Sequence, residues 1–273
     1  MLHLDLIQMA SIAGKVEVAN DDRLGCGDRH AWVIDGATDL GEPGLLGSRG
    51  GAAWLAATAD RAFTQAFGPL ETICDSVFEL VEATYHREKQ RDPLALWEIP
   101  SAAFAVVSLE GDVLRCAYAS DCPVLHRRGG EVSFVTPEPD RRREQAAALA
   151  LGAGATAGGV RSPEVLADRR AARNRPKRRV LGVDAQESRE ATSYREMPVR
   201  KGDELLLMSD GFSALFDAYG LYDPASLFEA LPRRGLTALI EELRAIERDD
   251  AQSHLYPRFK PSDDASAIWV RVG

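Results

Sequence analysis

Aspartates stand beside turn signals at four distant places in this sequence. The four places are Asn20-Asp21-Asp22, Asp35-Gly36, Asp210-Gly211 and Asp263-Asp264. An aspartate followed by glycine is common turn chemistry, so each place alone carries little information about function. Each place, however, lies before or after a short apolar run that reads as a strand. Carboxylates at the ends of neighbouring strands can converge on one cleft, so the four places together predict a single acidic site.

Carboxylates gathered in this way suit hard divalent cations. Mg²⁺ and Mn²⁺ prefer oxygen ligands, and they keep several waters when only a few carboxylates are supplied. Two such ions close together can activate water and neutralise the charge of a phosphate group in transfer. Hydrolysis of a phosphate ester is therefore a reaction that this acidic site could perform.

The elements that must position these aspartates form separate groups of strands and helices. Strand-like runs cover residues 31–34, 101–109, 114–119, 124–126, 132–135, 204–208 and 265–272. The second to fifth of them read as a meander, because Glu110-Gly111-Asp112 and Arg128-Gly129-Gly130-Glu131 are hairpin turns. Apolar residues at helical spacing predict helices over residues 49–67, 71–88, 224–231 and 236–248.

Strands grouped apart from helices favour a layered α+β architecture over alternating βαβ units. Two packed sheets flanked by helices would fit one domain of 273 residues. The Ala/Gly-rich stretch 146–159, with Arg141-Arg142-Arg143 ahead of it, is predicted to be a mobile segment of that domain and not a linker.

The bulk properties exclude several classes of protein. Hydrophobic residues at 45% and charged residues at 27% are ordinary for a soluble globular chain, and a net charge of −9 argues against general nucleic-acid binding. No apolar run is long enough to span a bilayer, and the first ten residues lack a basic leader. The four cysteines show no CxxC spacing, so no zinc site or disulfide framework is expected and a reducing cytoplasm is predicted. The oligomeric state is left open.

Five motifs, in order, resemble those of the PP2C (PPM) metal-dependent serine/threonine phosphatases, in particular the bacterial members. They are Asn20-Asp21-Asp22, Val33-Ile34-Asp35-Gly36, Ala119-Ser120-Asp121, Met208-Ser209-Asp210-Gly211 and Asp263-Asp264-Ala265-Ser266. The match runs from about residue 10 to the C-terminus, and it includes the helix-to-strand junction Arg179-Val180-Leu181-Gly182. The resemblance implies a four-layer αββα sandwich of two antiparallel sheets flanked by helices. This single domain would span residues 1–273, with a variable, flap-like segment at about residues 140–180.

The resemblance also implies a pair of Mg²⁺ or Mn²⁺ ions that activate the attacking water. Asp35 matches the carboxylate that bridges both ions, and Gly36 matches the residue that offers its backbone carbonyl to one of them. Asp210 and Asp263 match two late aspartates that hold the other ion, directly or through water. Asp35 and Asp210 are accordingly the predicted catalytic residues. The absence of a convincing Ser/His/Asp or Cys-x5-Arg arrangement agrees with a mechanism that needs no phosphoenzyme.

The remaining acidic residues carry weaker implications. Asp21 matches the acidic residue of the family's Asn-Glu-Asp motif, with Asp in place of Glu. Asp121 matches the ligand of a weaker third ion found in many bacterial members. An acidic residue usually follows the second Asp-Gly by a few positions, and Ser213-Ala214 stands there instead, so the third ion is expected to bind weakly or not at all. Asp22 and Asp264 would be structural or lie behind the direct ligands.

Two further departures concern the substrate. The family commonly has an arginine four residues before the acidic residue of its first motif, where it grips the substrate phosphate; that position here is Glu17. Lys15 could substitute, although an ammonium is not a bidentate fork. Eukaryotic members carry a histidine directly after the first Asp-Gly, and Ala37 stands there instead, as in many bacterial members that also lack it.

A basic run provides another candidate for substrate binding. Between Arg169 and Arg179 the sequence has seven basic residues and no acidic one. The run could be a solvated surface or a docking surface for a phosphorylated partner, with Arg173, Arg175 and Arg178 contacting the substrate.

These observations predict an enzyme that hydrolyses phosphoserine or phosphothreonine in proteins. Two alternatives remain open. One is hydrolysis of a small-molecule phosphoester with the same ions, and the other is a non-catalytic, phosphoprotein-binding regulatory domain of this fold. No nucleic-acid or membrane partner is expected.

Overall fold

The computed structural model describes residues 1–46, 48, 50–151 and 162–273. Within these residues the chain forms ten strands: β1 Leu4–Ile12, β2 Asp22–Cys26, β3 His30–Gly36, β4 Ala102–Glu110, β5 Val113–Ala119, β6 Val124–Arg128, β7 Glu131–Phe134, β8 Ser193–Pro198, β9 Glu204–Met208 and β10 Ala265–Val272. The same residues contain seven α-helices: α1 Gly51–Gln65, α2 Leu70–Glu88, α3 Arg142–Leu151, α4 Pro163–Arg173, α5 Ala185–Ala191, α6 Asp210–Asp217 and α7 Pro224–Asp249.

The strands pair into two antiparallel sheets of five. Sheet I has the order β2-β3-β4-β5-β8, and sheet II has the order β1-β10-β9-β6-β7. Every neighbouring pair in both sheets is antiparallel. The two ends of the chain meet in sheet II, because β1 pairs with β10 along nearly its whole length.

One layer of the core lies between the two sheets. Val33 of β3, Leu207 of β9 and Ile268 of β10 belong to this buried layer. Their sequence neighbours Ile34 and Leu206 point away from it, into separate layers on the outer faces. Side chains alternate between the faces of a strand, and both faces are covered here, so the central strands read as continuous apolar runs.

Helices cover both outer faces. On sheet I, Leu55 of α1 and Phe78 of α2 pack in one cluster with Phe104 of β4. On sheet II, Phe212 of α6 and Leu239 of α7 belong to the corresponding cluster. The order helix–sheet–sheet–helix confirms the predicted α+β sandwich. Gly235, with φ 74°, breaks α7 into the two helical pieces that the sequence predicts.

The predicted four-strand meander is wrong at its middle connection. β4 and β5 form a hairpin in sheet I, whereas β6 and β7 form a hairpin in sheet II. The chain crosses between the sheets at residues 120–123, and Ser120 has a positive φ of 68° at the start of this crossing. Turn chemistry identifies each hairpin but does not show which sheet a hairpin joins.

The segment at residues 140–180 is largely helical where the structure describes it. Residues 146–151 of the Ala/Gly-rich stretch belong to α3, and α4 begins at Pro163. Residues 152–159, the rest of the stretch predicted to be mobile, lie outside the described residues. None of the described helices is long and apolar enough to cross a bilayer. All four cysteines are free thiols, and three of them are buried.

A buried ion cluster stabilises the start of β9. Asp203 is 2% exposed, and it accepts hydrogen bonds from Arg128 Nη2 at 2.6 Å and from the His126 ring at 3.0 Å. Although burial opposes ionisation, the bonds from Arg128 and His126 lower the pKa of Asp203 to about 2. A carboxyl whose pKa is lowered by folding stabilises the protein above its unfolded pKa, and this contribution is lost as the pH falls toward 2.

Asp203→Asn is therefore expected to lower the free energy of unfolding at pH 7 by about 2 kcal/mol, because it removes the buried carboxylate whose pKa folding lowers. Urea denaturation followed by circular dichroism measures this change. Asp75→Asn is the matched control, since Asp75 also pairs with an arginine, Arg189 at 2.7 Å, but its side chain is 50% exposed. Equal losses in the two variants would contradict the assigned role of the buried cluster.

Candidate active site

Two carboxylates face each other across neighbouring strands at one end of the sandwich. Asp22, at the start of β2, lies opposite Asp35, near the end of β3. Residues directly opposite in an antiparallel pair project from the same face. Asp35 is two residues from Val33, so it shares the face on which Val33 points between the sheets. Both carboxylates therefore point toward the space between the sheets. Like charges in this arrangement repel and are destabilising, so a proton or a cation is needed beside them.

Asp22 is the most deeply buried of the acidic side chains at this end. It is 2% exposed, and neither carboxylate oxygen meets hydrogen-bond geometry with any partner in the described part of the chain. Burial and then the Asp263 carboxylate raise the pKa of Asp22. The hydroxyls of Ser266 and Ser209, across the gap in sheet II, oppose this rise without cancelling it.

Asp210 and Asp263 reach the same end of the sandwich from sheet II. Asp210 begins α6 directly after β9, and its backbone N–H donates to Asp35 Oδ2 over 3.3 Å. Asp263 precedes β10, the strand next to β9. Burial raises the pKa of Asp35, and the carboxylates of Asp210, Asp22 and Asp263 raise it further. Four aspartates, contributed by both sheets, are thus close enough for their charges to interact.

Asp264 ties the segment before β2 to this group. Its Oδ1 accepts from the Gly14 N–H at 2.7 Å, and its Oδ2 accepts from the Asp21 N–H at 2.6 Å. The Asp21 carbonyl in turn accepts from the Gly36 N–H at 3.2 Å. Burial, followed by the Asp264 carboxylate, raises the pKa of Asp21 to about 7. Asp264 therefore positions Asp21 beside Gly36, as well as adding negative charge.

The two glycines of the Asp-Gly pairs allow backbone segments to meet around the aspartates. A Cβ at Gly36 would lie 2.7 Å from the Asp21 carbonyl oxygen. A Cβ at Gly211 would overlap the Asp264 carbonyl oxygen and lie 3.2 Å from Asp263 Cβ. Both contacts are with backbone, which cannot simply rotate away. Glycine is thus required at both positions by the packing of the site and not by a turn, because Gly36 belongs to β3 and Gly211 to α6.

The aspartates open onto a cleft of about 250 Å³. Of the predicted metal ligands, those that line it are Asp35, Gly36, Asp121, Asp210 and Asp263. Asp121 is exposed at the crossing between the sheets, where Ser120 Oγ donates to Asp121 Oδ1 at 2.8 Å. Asp121 therefore lies at the rim of the cleft, and its charge also raises the pKa of Asp35.

A second cavity, of about 350 Å³, adjoins this cleft. Asp21 and Lys15 line the second cavity and not the first, while Thr38 and Lys260 line both. Lys15 is exposed, as is Glu17, the residue at the position of the family's phosphate-binding arginine. Asp21 thus lines the adjoining cavity and not the cleft, although its charge interacts with that of Asp263.

Arg141, just before α3, brings a positive charge to the cleft. It donates a hydrogen bond to the Asp210 backbone carbonyl, and its guanidinium lies 3.7 Å from Asp210 Oδ2. Its Nε also pairs with Asp217 Oδ1 at 2.9 Å, and Ser213 Oγ donates to the other oxygen of Asp217 at 2.7 Å. Arg141 therefore links the segment before α3 to both ends of α6.

The three arginines predicted to bind substrate lie in different environments. Arg173 lines the cleft, and its guanidinium donates to the backbone carbonyls of residues 37 and 38, at 3.4 and 2.7 Å. Burial and the neighbouring guanidinium groups lower the pKa of Arg173 to about 10. Arg178 donates to Ser101 Oγ at 3.0 Å, and Arg175 is exposed. The basic run is thus partly structural and partly solvated.

The atoms that could bind a metal in the cleft are of the type that hard divalent cations prefer. They are carboxylate and backbone oxygens, as Mg²⁺ and Mn²⁺ prefer. The oxygens of buried Asp22 have no hydrogen-bond partner among the described residues, and the pKa values of Asp22 and Asp35 are raised, so a cation beside them would be stabilising. No three His, Cys, Asp or Glu side chains of the described residues stand in an arrangement that could hold a metal ion.

Three side chains matter more than the sequence analysis indicated. Asp22 was expected to be structural or to lie behind the direct ligands, and it lies buried opposite Asp35. The Asn20-Asp21-Asp22 motif drew attention to this position in the sequence. Only the pairing of β2 with β3 showed that Asp22, and not Asp21, points between the two sheets. Arg141 and Lys260 were not considered as parts of the site. The spacing of Lys260 three residues before Asp263 could have drawn attention to it.

No protein-family model and no curated protein match this chain.

Solved structures do match along its whole length. One is the catalytic domain of the serine/threonine protein phosphatase PstP in complex with two manganese ions, which is 17% identical, with 100% of this chain and 99% of that chain covered and a TM-score of 0.58. Another is MsPP, a PPM Ser-Thr phosphatase from Mycobacterium smegmatis in complex with cacodylate, at 18% identity, 98% and 99% coverage and a TM-score of 0.56. A third is PppA, a key regulatory component of T6SS in Pseudomonas aeruginosa, at 15% identity, 100% and 98% coverage and a TM-score of 0.58. At these identities the likeness establishes the fold.

Proposed function

We propose that this chain, which has the fold of the bacterial PP2C (PPM) serine/threonine phosphatases, hydrolyses phosphoserine and phosphothreonine in proteins. The observation that carries the proposal is the convergence of Asp22, Asp35, Asp210 and Asp263 at one end of the sandwich, beside an open cleft. Such a concentration of like charge costs stability, so its presence favours a function that uses it.

In this proposal the chain holds two Mg²⁺ or Mn²⁺ ions. The ligands in the cleft would be Asp35, Gly36, Asp210 and Asp263. Asp21 would bind from the adjoining cavity. Asp121, at the exposed rim, is the proposed ligand of a weak third ion. When bound, the ions supply a Lewis acid that lowers the pKa of water and neutralises charge on the phosphate.

Other residues would hold these ligands in place. Asp264 fixes the backbone of Asp21 through its hydrogen bonds. Arg141 fixes the start of α6, and with it Asp210, by bonding the Asp210 carbonyl. Such positioning matters because a displacement of about 1 Å at a reacting centre can cost about 10²-fold in rate.

A phosphoprotein is the proposed partner because the cleft is open and a second cavity adjoins it, with Thr38 and Lys260 lining both. A flanking stretch of polypeptide could therefore lie across both. The four free thiols favour a reducing compartment, and we place the activity in the cytoplasm.

A second candidate function is a non-catalytic phosphoprotein-binding domain. It is favoured by the ion pair between Lys260 and Asp263 and by the lack of a ready-made metal cluster among the described residues. The two candidates differ in turnover. Mn²⁺-dependent release of p-nitrophenol from p-nitrophenyl phosphate is expected for the enzyme, with no turnover in EDTA. No turnover at saturating Mn²⁺, together with retained phosphopeptide binding, would favour the regulatory domain.

The substrate class is decided by a second assay. Phosphoserine and phosphothreonine peptides and a panel of small phosphoesters are compared by their kcat/KM values under the same conditions. Higher values for the peptides are expected. A metabolite that exceeds every peptide would replace the protein-phosphatase proposal with a small-molecule hydrolase.

Lys15, Arg173, Arg175 and Arg178 remain proposed substrate contacts, and two variants separate their roles. Arg173→Gln is expected to lower kcat/KM about tenfold for p-nitrophenyl phosphate and for a phosphopeptide alike, because Arg173 holds the backbone just after Gly36. Arg175→Gln should raise KM for the phosphopeptide only, and the effect should fade with added salt, since the side chain is exposed. If parent and Arg175→Gln have equal KM values at low salt, Arg175 does not contact the substrate.

A further inference from the structure

Lys260 places an ammonium group among the aspartates of the cleft. Its Nζ forms an ion pair with Asp263 Oδ1 and donates to Thr38 Oγ1 at 3.2 Å. The side chain lines both the cleft and the adjoining cavity, and it is 29% exposed. Lys260 therefore stands at the wall that the two spaces share.

The charge of Lys260 acts on more than one carboxylate. Burial alone would lower the pKa of Lys260, but the Asp263 carboxylate, followed by those of Asp210 and Asp35, outweighs burial and raises it. The same ammonium opposes the rise in the pKa of Asp21. Lys260 thus offsets part of the repulsion within the whole acidic group, as a metal cation would.

Three of the four other cations that line the cleft are held by different partners. Arg173 is bonded to the backbone carbonyls of residues 37 and 38. Arg258 pairs with Asp250 at 2.8 Å and also donates to the Asp250 carbonyl at 2.6 Å. The shortest ion pair of Arg141 is with Asp217, at the opposite end of α6 from Asp210. Lys260, unlike these three arginines, has its shortest ion pair with a proposed metal ligand.

We propose that Lys260 is a built-in cation that competes with the divalent cation for Asp263 and must leave Asp263 when the metal binds. This inference rests on the metal site of the proposed function. An ammonium and a divalent cation seek the same carboxylate oxygen, and they repel each other at short range. The metal-free protein is stabilised by the Lys260 contact, and the affinity for metal is reduced by the same contact.

The geometry provides a place for the displaced side chain. Lys260 is partly exposed, and its flexible four-carbon side chain can rotate. An arginine held by several hydrogen bonds would have less freedom to do so. Thr38 Oγ1, its second partner, lines the adjoining cavity as well as the cleft. Rotation toward the adjoining cavity would release Asp263 without movement of the backbone.

The test compares the Mn²⁺ affinity of metal-free parent protein with that of Lys260→Met, by isothermal titration calorimetry at fixed pH and salt. The neutral variant is expected to bind Mn²⁺ about tenfold more tightly, because it removes one charge-assisted contact that the metal must break. Its metal-free melting temperature is expected to fall, since the aspartates lose their internal cation. Lys260→Arg keeps the charge and should resemble the parent in both measurements.

Lys201→Met is the matched control, because Lys201 is exposed at the turn before β9, at the opposite end of that strand from Asp210. Unchanged or weaker Mn²⁺ binding by a folded Lys260→Met would overturn the proposal, and Lys260→Gln replaces it if the first variant does not fold. Hydrolysis of p-nitrophenyl phosphate is measured in parallel. Parent protein that binds Mn²⁺ without turnover defeats the proposed function but leaves the affinity comparison decisive. Absence of Mn²⁺ binding in every protein defeats both.

Discussion

Asp35→Asn is expected to abolish Mn²⁺-dependent hydrolysis while raising the melting temperature of the metal-free protein. Asp35 is the aspartate whose pKa is raised by burial and by four other carboxylates, so it lies at the centre of the group. Loss of its charge should prevent metal binding. The bound metal would lower the activation free energy by several kcal/mol, so kcat/KM should fall by about 10³-fold or more. The same change removes like-charge repulsion, which should raise the melting temperature by about 2–4 °C.

The two halves of this result are measured separately. Initial rates with p-nitrophenyl phosphate at saturating Mn²⁺ report the first, and thermal unfolding in EDTA reports the second. Asp92→Asn is the matched control, because Asp92 is an exposed partner of Lys89. Asp35→Asn that retains parental turnover would rule out its role as the bridging ligand, and a lower melting temperature without metal would contradict the repulsion argument.

The same variant should change the pH dependence of stability. A carboxyl whose pKa is raised by folding stabilises the protein at low pH, and this contribution is lost as the pH rises through the folded pKa. Burial and the Asp264 carboxylate raise the pKa of Asp21 to about 7, and those of Asp22 and Asp35 are also raised. Metal-free parent protein should therefore lose stability between about pH 4 and pH 7, and Asp35→Asn should lose less.

Gly211→Ala is expected to lower kcat/KM by about 10²-fold and the free energy of unfolding by about 2 kcal/mol. The added Cβ would overlap the Asp264 carbonyl oxygen, which belongs to the backbone that leads into β10. The clash must push Asp263 and Asp264 away from Asp210, so the carboxylates would separate. Mn²⁺-dependent hydrolysis and urea denaturation measure the two effects.

Gly182→Ala provides the control for this prediction, because a Cβ at Gly182 meets no atom within 4 Å in the described part of the chain. This control separates the clash from the general effect of replacing a glycine, which is to stiffen the unfolded chain. We expect Gly182→Ala to match the parent in activity. Parental activity in Gly211→Ala would instead show that the site tolerates separation of these two segments.

The sequence alone identified the elements whose faces are buried on both sides. The apolar runs that became β3, β4, β9 and β10 were found because strands covered on both faces contain few polar residues. Helices α1 and α2 were found because their apolar residues recur with the helical period. The local Asp-Gly signals at the strand ends were also visible. Buried periodicity and turn chemistry are local properties, so a single sequence reveals them.

The missed strands share one physical feature. β1, β2 and β8 all lie at the edges of their sheets, and β1 and β8 are mostly exposed. Edge strands carry polar and charged residues, so their alternation is weak. The sheet that the β6–β7 hairpin joins was likewise invisible, because it depends on pairing with β9, about eighty residues away.

The site itself was only half determined by the sequence. The positions of Asp35, Asp210 and Asp263 beside buried strands could be read from the local sequence, although Asp35 belongs to β3 and Asp210 begins α6 where turns were expected. The burial of Asp22 opposite Asp35 depends instead on the register of β2 against β3. The ion pair between Lys260 and Asp263 depends on how the loop before β10 folds into the cleft. Register and loop docking are decided by contacts between distant parts of the chain, and these contacts exist only in the folded protein. The sequence therefore determined which charged residues are available, and the tertiary structure determined which of them lie in contact.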